Sequence, residues 1–304
     1  MFRARKRHFE MVGIEVAAEG IAFVHVERVA GQLPRLLQAD FLAAEPDQIS
    51  ARLCDCVAKY NLRGLPVTAV MAAPDYQLLL GDAPNVPAAE LNSALRWKIK
   101  DLVSFPVADA VIDAFLLPES CSRGDERLAY VVAARRAPVA ALVEQIKEAD
   151  LNLSAIEIPE LALARLLDQG VDTARPQGLV NLFPGGGSLM VVKAGELYLA
   201  RNFKLNYRGG IFDELPSEPL LLELQRSMDY FERQMRQPPL SGLYFCGDNL
   251  TADKLTSDLR EGIGVRSELL SLETVVTAET DVAERCQALC LRALGAALRQ
   301  EGAS

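Results

Sequence analysis

The sequence predicts an α/β chain of two lobes, on three observations. Residues Gly178–Gly210 alternate short apolar runs with glycine turns. Within them Gly178–Phe183, Ser188–Val192 and Glu196–Asn202 have the length and the Val, Leu and Tyr content of an antiparallel meander. Val12–Val26, VGIEVAAEGIAFVHV, reads as a weaker copy of the meander's opening. Laid without gaps on Val180–Ala194, it sets Glu15 on Phe183, Ala17-Ala18-Glu19 on Gly185-Gly186-Gly187, and Phe23-Val24 on Val191-Val192. One strand–turn–strand start in each half suggests a repeated architecture. Between and after these starts, short apolar runs alternate with segments of helical period.

In chain order, Asp47–Asn61 places Ile49, Leu53, Val57 and Tyr60 at helical spacing. Leu65–Ala73 is a continuous apolar run ending at Pro74, as suits a strand buried on both faces. Leu78–Gly81 is a short strand. After Pro84 and Pro87 a helix begins, with Glu90 in its first turn and Leu91, Leu95, Ile99 and Leu102 on one face; Phe105-Pro106 ends it. Ala110–Leu117 and Leu128–Ala134 are strands around a polar loop, Pro118–Glu126. Pro138–Asp150 is a helix and Leu153–Ile158 a strand. Pro159 opens a further helix through Leu167.

Asp168–Gln177 is the linker to the second half. There, Pro219–Met235 is a helix with Leu221, Leu224, Met228, Phe231 and Met235 on one stripe. Leu243–Cys246 and Ile263–Leu270 are strands. Thr251 caps a helix through Leu259 that Gly262 ends. Asp281–Arg299 closes the chain with Val282, Cys286, Leu289, Ala293 and Ala297 on one face.

The chain has 304 residues, enough for two domains, and 50% of them are hydrophobic. Lys and Arg total 32 against 41 Asp and Glu, a net charge of −9 that argues against nonspecific nucleic-acid binding. Arg3-Ala4-Arg5-Lys6-Arg7 is read as a solvated basic tail, with attraction to anionic lipid as the minor alternative. No apolar stretch is long enough to span a bilayer. Glu10, Glu15 and Glu19 interrupt any signal-peptide core. The six cysteines, Cys54, Cys56, Cys121, Cys246, Cys286 and Cys290, form no CxxC pair, which points to a reducing, cytoplasmic setting.

Five segments, in order, resemble the PilM-type pilus assembly proteins: Ala94–Pro106 (ALRWKIKDLVSFP), Ala133–Arg136 (AARR), Leu161–Leu167 (LALARLL), Leu224–Glu232 (LQRSMDYFE) and Leu294–Arg299 (LGAALR). The eroded glycine motifs look closer to the MshI branch of MSHA-pilus biogenesis. The resemblance implies an actin-like (ribonuclease H-like) two-lobed fold, related to FtsA, with an inserted small α+β subdomain. It divides the chain into a first lobe at 8–167 with the insertion at about 77–149, a second lobe at 178–280, and a helix at 281–300 returning to the first lobe. It also implies a cytoplasmic protein, peripheral at the inner membrane. Such a protein binds the N-terminal tail of a PilN-like bitopic protein and works with other pilus assembly or motor proteins.

ATP and Mg²⁺ between the lobes are what the family implies as cofactors. An actin-like site needs two glycine hairpins whose N–H groups wrap phosphates, with acids holding Mg²⁺ through water. The first hairpin here reads Glu15, Ala17, Ala18 and Glu19 where the family has Asp, Gly and small polar residues. The second reads Asn181-Leu182-Phe183 for Asp-X-Gly, and keeps Gly185-Gly186-Gly187-Ser188. Gly247-Asp248 stands at the adenosine-side turn, and Gly209-Gly210 matches the meander's end. The expectation is a degenerate site, no required cofactor and no hydrolysis; the alternative is an ATP-binding switch with slow ATPase activity in pilus assembly or type II secretion.

No P-loop, GxGxxG or metal-ligand spacing is present, and the only histidines are His8 and His25. The partner site is expected at Leu95, Trp97, Phe105 and Pro106. Trp97, the only tryptophan, lies off the Leu91/Leu95/Ile99 stripe and either anchors a partner or packs between subdomains. Arg96, Lys98 and Lys100 would give that helix a basic face.

Overall fold

A computed structural model describes residues 8–17, 19–29, 31–122, 127–210, 212–247, 249–278 and 288–300. The first half runs β1 (His8–Ala17), β2 (Gly20–Val29), β3 (Arg35–Ala43), α1 (Ile49–Lys59), β4 (Pro66–Val70), β5 (Tyr76–Asp82), α2 (Ala88–Lys98), β6 (Ala110–Leu116), β7 (Leu128–Arg135), α3 (Arg136–Glu148), β8 (Asn152–Glu157) and α4 (Pro159–Gly170). The second runs β9 (Gln177–Phe183), β10 (Gly186–Lys193), β11 (Glu196–Lys204), α5 (Ser217–Asp229), β12 (Gly242–Gly247), α6 (Ser257–Ile263), β13 (Ser267–Leu269), β14 (Thr277–Ala278) and α7 (Leu291–Ala297).

Two sheets share one plan. The first is ordered β14-β3-β2-β1-β4-β8 and the second β11-β10-β9-β12-β13. Setting aside the two-residue β14, each has an antiparallel three-strand meander followed by two strands parallel to its first. The third sheet, β5-β7-β6, leaves the first lobe after β4 and returns at α3. Helix α3 lies within the predicted 77–149 insertion, yet its Leu142 and Ile146 join Ile14, Phe23, Leu53 and Val67 in the first lobe's core.

Period explains most of this. Helix α1 buries Ile49, Leu53, Cys56 and Val57 on one stripe. The apolar run of β4 is buried on both faces: Val67 and Ala69 face the α1/α3 side, and Val70 meets Ala162 and Ala296 on the other. Pro159 takes the first position of α4, where its missing N–H costs nothing.

The last helices of the two halves are exchanged. Helix α4 follows the first sheet but packs on β9, β10 and β11; α7 follows the second but packs on β1, β2 and β4. They cross at Gly295, where a Cβ would stand 2.1 Å from the Ala162 carbonyl oxygen. At Gly13, under α7, a Cβ would stand 1.8 Å from the Ala293 oxygen. The shared core joins Met11, Val24, Leu163, Met190 and Leu294 across both lobes.

Several predicted ends move. Helix α2 stops at Lys98 rather than at Pro106, because Ile99 turns and the chain continues as bends. Leu102, expected on its stripe, is therefore exposed. Thr256, not Thr251, caps α6, its hydroxyl accepting from the Leu259 N–H at 3.3 Å; Gly264 in left-handed geometry, not Gly262, ends it. The predicted strand at Ile263–Leu270 shrinks to β13. Of the closing stripe, Ala293 and Ala297 are buried, while Val282 and Cys286 lie outside the described residues.

Candidate functional site

The two hairpins that open the lobes are closed by Ala17 opposite Gly20 and by Phe183 opposite Gly186. Matching these turns corrects the gapless alignment by two residues, so Glu15 corresponds to Asn181 and not to Phe183. The gapless version fails because it matched the glycine run to the turn, whereas only Gly185 occupies the turn. Gly186, Gly187 and Ser188 are already strand.

Each residue of that run has a local structural use. The Gly185 N–H donates to the Tyr207 carbonyl at 2.8 Å, and its φ of 87° suits glycine. A Cβ on Gly186 would stand 2.5 Å from the Phe203 oxygen, and one on Gly187 would stand 2.7 Å from the Phe203 ring. Ser188 is buried with its hydroxyl 3.7 Å from the Met190 sulfur. Gly247 lets β12 approach β9, since its Cβ would stand 2.2 Å from the Leu182 oxygen. Asp248 lies outside the described residues.

Glu15 is 5% exposed near the end of β1. Arg292, reaching in from α7, sets its Nε 2.7 Å from one carboxylate oxygen and donates to the other at 2.8 Å. Asn181 receives a weak contact from the Cys246 thiol at 3.7 Å. A second buried acid, Glu160, sits in the first turn of α4. It accepts from the Tyr76 hydroxyl at 2.5 Å and from Asn202 of β11 at 3.4 Å. Burial, then the charge of Glu160, holds the Tyr76 hydroxyl well above the usual phenol range. Glu157 takes Arg165 through both oxygens at 2.9 Å and Arg299 at 3.1 Å, tying β8 and α4 to the end of α7. Among the described residues no group of three or more His, Cys, Asp or Glu could hold a metal ion.

Sequence reading missed Arg292, Glu160, Tyr76 and Glu157. Glu160 carried a signal, an acid just after the helix-opening Pro159. Arg292 carried none, because it meets Glu15 across 277 positions.

The expected partner surface separates into two parts. Leu95 is 2% exposed and packs with Leu91, Ile99, Ala129 and Val131 in the core of the third sheet, so it holds α2 in place and offers nothing to a partner. Trp97 is 77% exposed, on the opposite side of α2. Phe105 is half-buried against the same core with Arg135 over its ring, and Pro106 is exposed. Arg96 is spent on the Val107 carbonyl at 2.8 Å and Lys98 reaches the Asp82 carbonyl at 3.1 Å, so the basic face is thinner than the sequence suggests.

The third sheet's other face docks on the second lobe. The Tyr130 hydroxyl of β7 donates to the Ala200 carbonyl at 3.1 Å and accepts from the Ala200 N–H at 2.7 Å, occupying both groups on the edge strand β11. Ser120 bonds Tyr198 at 3.2 Å, and Gln237 donates to the Ser120 carbonyl at 2.7 Å. Leu117, Cys121 and Leu128 complete this joint within the second lobe's core. Burial pushes the Cys121 thiol up to about 11.

No family model matches the chain, and no curated protein matches its sequence. Solved structures do. The PilM-PilN type IV pilus biogenesis complex aligns with a TM-score of 0.72 at 21% identity, over 95% of this chain and 97% of that one. A Bacteroides thetaiotaomicron protein of actin-like ATPase fold and unknown function aligns at 0.52 with 11% identity, over 88% and 92%. The cytoplasmic domain of EpsL, an inner membrane component of the type II secretion system of Vibrio cholerae, aligns at 0.52 with 14% identity, over 94% of each chain. The chain has the actin-like, two-lobed α/β fold with an inserted small subdomain.

Proposed function

We propose that this chain is a non-catalytic scaffold of a type IV pilus assembly platform. It is cytoplasmic, of PilM type and nearest the MshI branch, and it is held at the inner membrane by the N-terminal tail of a PilN-like bitopic protein. The likeness to the PilM-PilN complex over nearly the whole of both chains supports the setting. The observation that carries the non-catalytic part is the Glu15–Arg292 pair. A magnesium triphosphate needs an unengaged acid and free N–H groups at these hairpins. Here an arginine neutralises the acid, Asn replaces its counterpart on β9, and the Gly185 N–H is spent on Tyr207. These residues do not fit magnesium-bound ATP.

Thermal melts with and without Mg²⁺-ATP test this. A ligand that binds only the folded state raises the midpoint. An unchanged midpoint at millimolar Mg²⁺-ATP is expected. A rise of several degrees would favour the ATP-binding switch instead, in pilus assembly or in a type II secretion platform.

Trp97, Phe105 and Pro106 are the proposed contact residues for the tail. An exposed Trp at a buried contact is commonly worth ~2 kcal/mol or more, roughly thirtyfold in affinity. Trp97→Ala is therefore expected to weaken pulldown of the tail from detergent-solubilised membranes while leaving the melting midpoint in place. Undiminished pulldown would remove Trp97 from the site.

A further inference from the structure

A groove of about 340 Å³ runs between β3 and α1 on the first lobe, away from the surfaces described above. Leu42, Ala43, Cys56 and Tyr60 form its apolar side. Its rim carries Arg52 and Lys59 against the single acid Asp55, and with Cys56 these share one face of α1. Lys59 donates to the Tyr60 hydroxyl at 2.7 Å, and that hydroxyl donates to Asp40 at 3.0 Å, so the ammonium is held in place at the rim. Arg52 is exposed and has no hydrogen bond or ion pair among the described residues. A cavity of about 150 Å³ takes a benzene ring, so this groove has room for a phenyl side chain and for a carboxylate beside it.

The second lobe displays that pair of groups. Phe212, in the loop between β11 and α5, is 97% exposed. The backbone is held on both sides of it. Asn249 donates to the Gly209 carbonyl at 2.8 Å and Lys254 to the Gly210 carbonyl at 2.7 Å. The Gly210 N–H donates to the Asp213 carboxylate at 2.9 Å, and Leu215 is buried in the second lobe's core. Two residues beyond Phe212, Glu214 is exposed and has no hydrogen bond or ion pair among the described residues.

We propose that the groove of one molecule receives Phe212 of a second copy of this chain, with Glu214 set against the Arg52 and Lys59 rim. The ring and the carboxylate match the apolar side and the cations in both chemistry and order of size. A loop and a rim already held in place lose little freedom on contact. The two surfaces lie on different lobes and neither complements itself, so the contact is heterologous, head to tail. One side chain in one groove is a small interface, which makes the association weak and dependent on concentration. A lipid surface would accept Phe212 but repel Glu214 and the exposed Glu218 if it were anionic.

Sedimentation velocity of the purified full chain at rising concentration tests this. The mean mass is expected to rise with concentration and to fall back as salt screens the rim. Phe212→Asp removes the inserted ring, and Ala43→Trp fills the groove from an exposed position. Each should weaken association at least about thirtyfold and keep the wild-type melting midpoint. Mixed together, the two variants retain one intact groove and one intact Phe212, so they should form one-to-one dimers and nothing larger. A wild-type chain that stays monomeric at every concentration would overturn the proposal and leave Phe212 to another protein. Association of Phe212→Asp as tight as wild type, or a mixture of the variants that stays monomeric, would also overturn it. No partner tail is present in this experiment, so its failure leaves the scaffold reading intact.

Discussion

Arg292 and Glu15 show how much one pair can decide. A buried carboxylate that loses its cation keeps the full cost of its desolvation. Arg292→Met should therefore cost ~3–5 kcal/mol in urea unfolding, far more than a surface change, whereas adding Glu15→Gln should restore much of it. Equal losses from the single and double variants would mean that the pair acts through packing alone. Trp97 marks the other extreme. Its ring lies mostly in water, so a change there is free to alter recognition while leaving folding alone.

At the scale of elements, the crossing of α4 and α7 depends on the absence of a side chain at Gly295. A methyl there meets backbone, which cannot rotate away, so Gly295→Ala should cost ~1–3 kcal/mol although alanine is the better helix former. A rise in melting midpoint would refute the close crossing. The same elements show what a sequence discloses. The meander at 177–204, α1, β4 and α4 were legible because each has a local period and local punctuation. The end of α2 was not, because Leu102 and Pro106 continued an apolar pattern after Ile99 had turned the chain. The choice of Thr256 over Thr251 rests on which turn completes its hydrogen bonds. Of the site, the hairpin glycines were visible as glycines, but their employment by Phe203, Tyr207 and Leu182 was not, since those contacts depend on how strands lie beside one another. Leu95 was misplaced for a simpler reason: an apolar residue on a helical stripe belongs first to its own core.

Across the whole molecule, the inserted sheet joins the two lobes. One face carries α2 and Trp97, and the other bolts onto β11 through Tyr130. Tyr130→Phe keeps the ring but leaves the Ala200 N–H and carbonyl without that partner, at ~1–3 kcal/mol. Amide exchange should rise at Ala200 and its neighbours on β11 before it rises at β9; uniform acceleration over the second lobe would mean that the hydroxyl is not a local bolt. The trade of α4 for α7 has a further consequence. Each half keeps its partner's lid, so a nick between Ala174 and Arg175, both exposed, yields two pieces with an uncovered apolar sheet face apiece. Made singly, fragments 1–174 and 175–304 should precipitate; made together in one cell, they should find each other and copurify as an intact body.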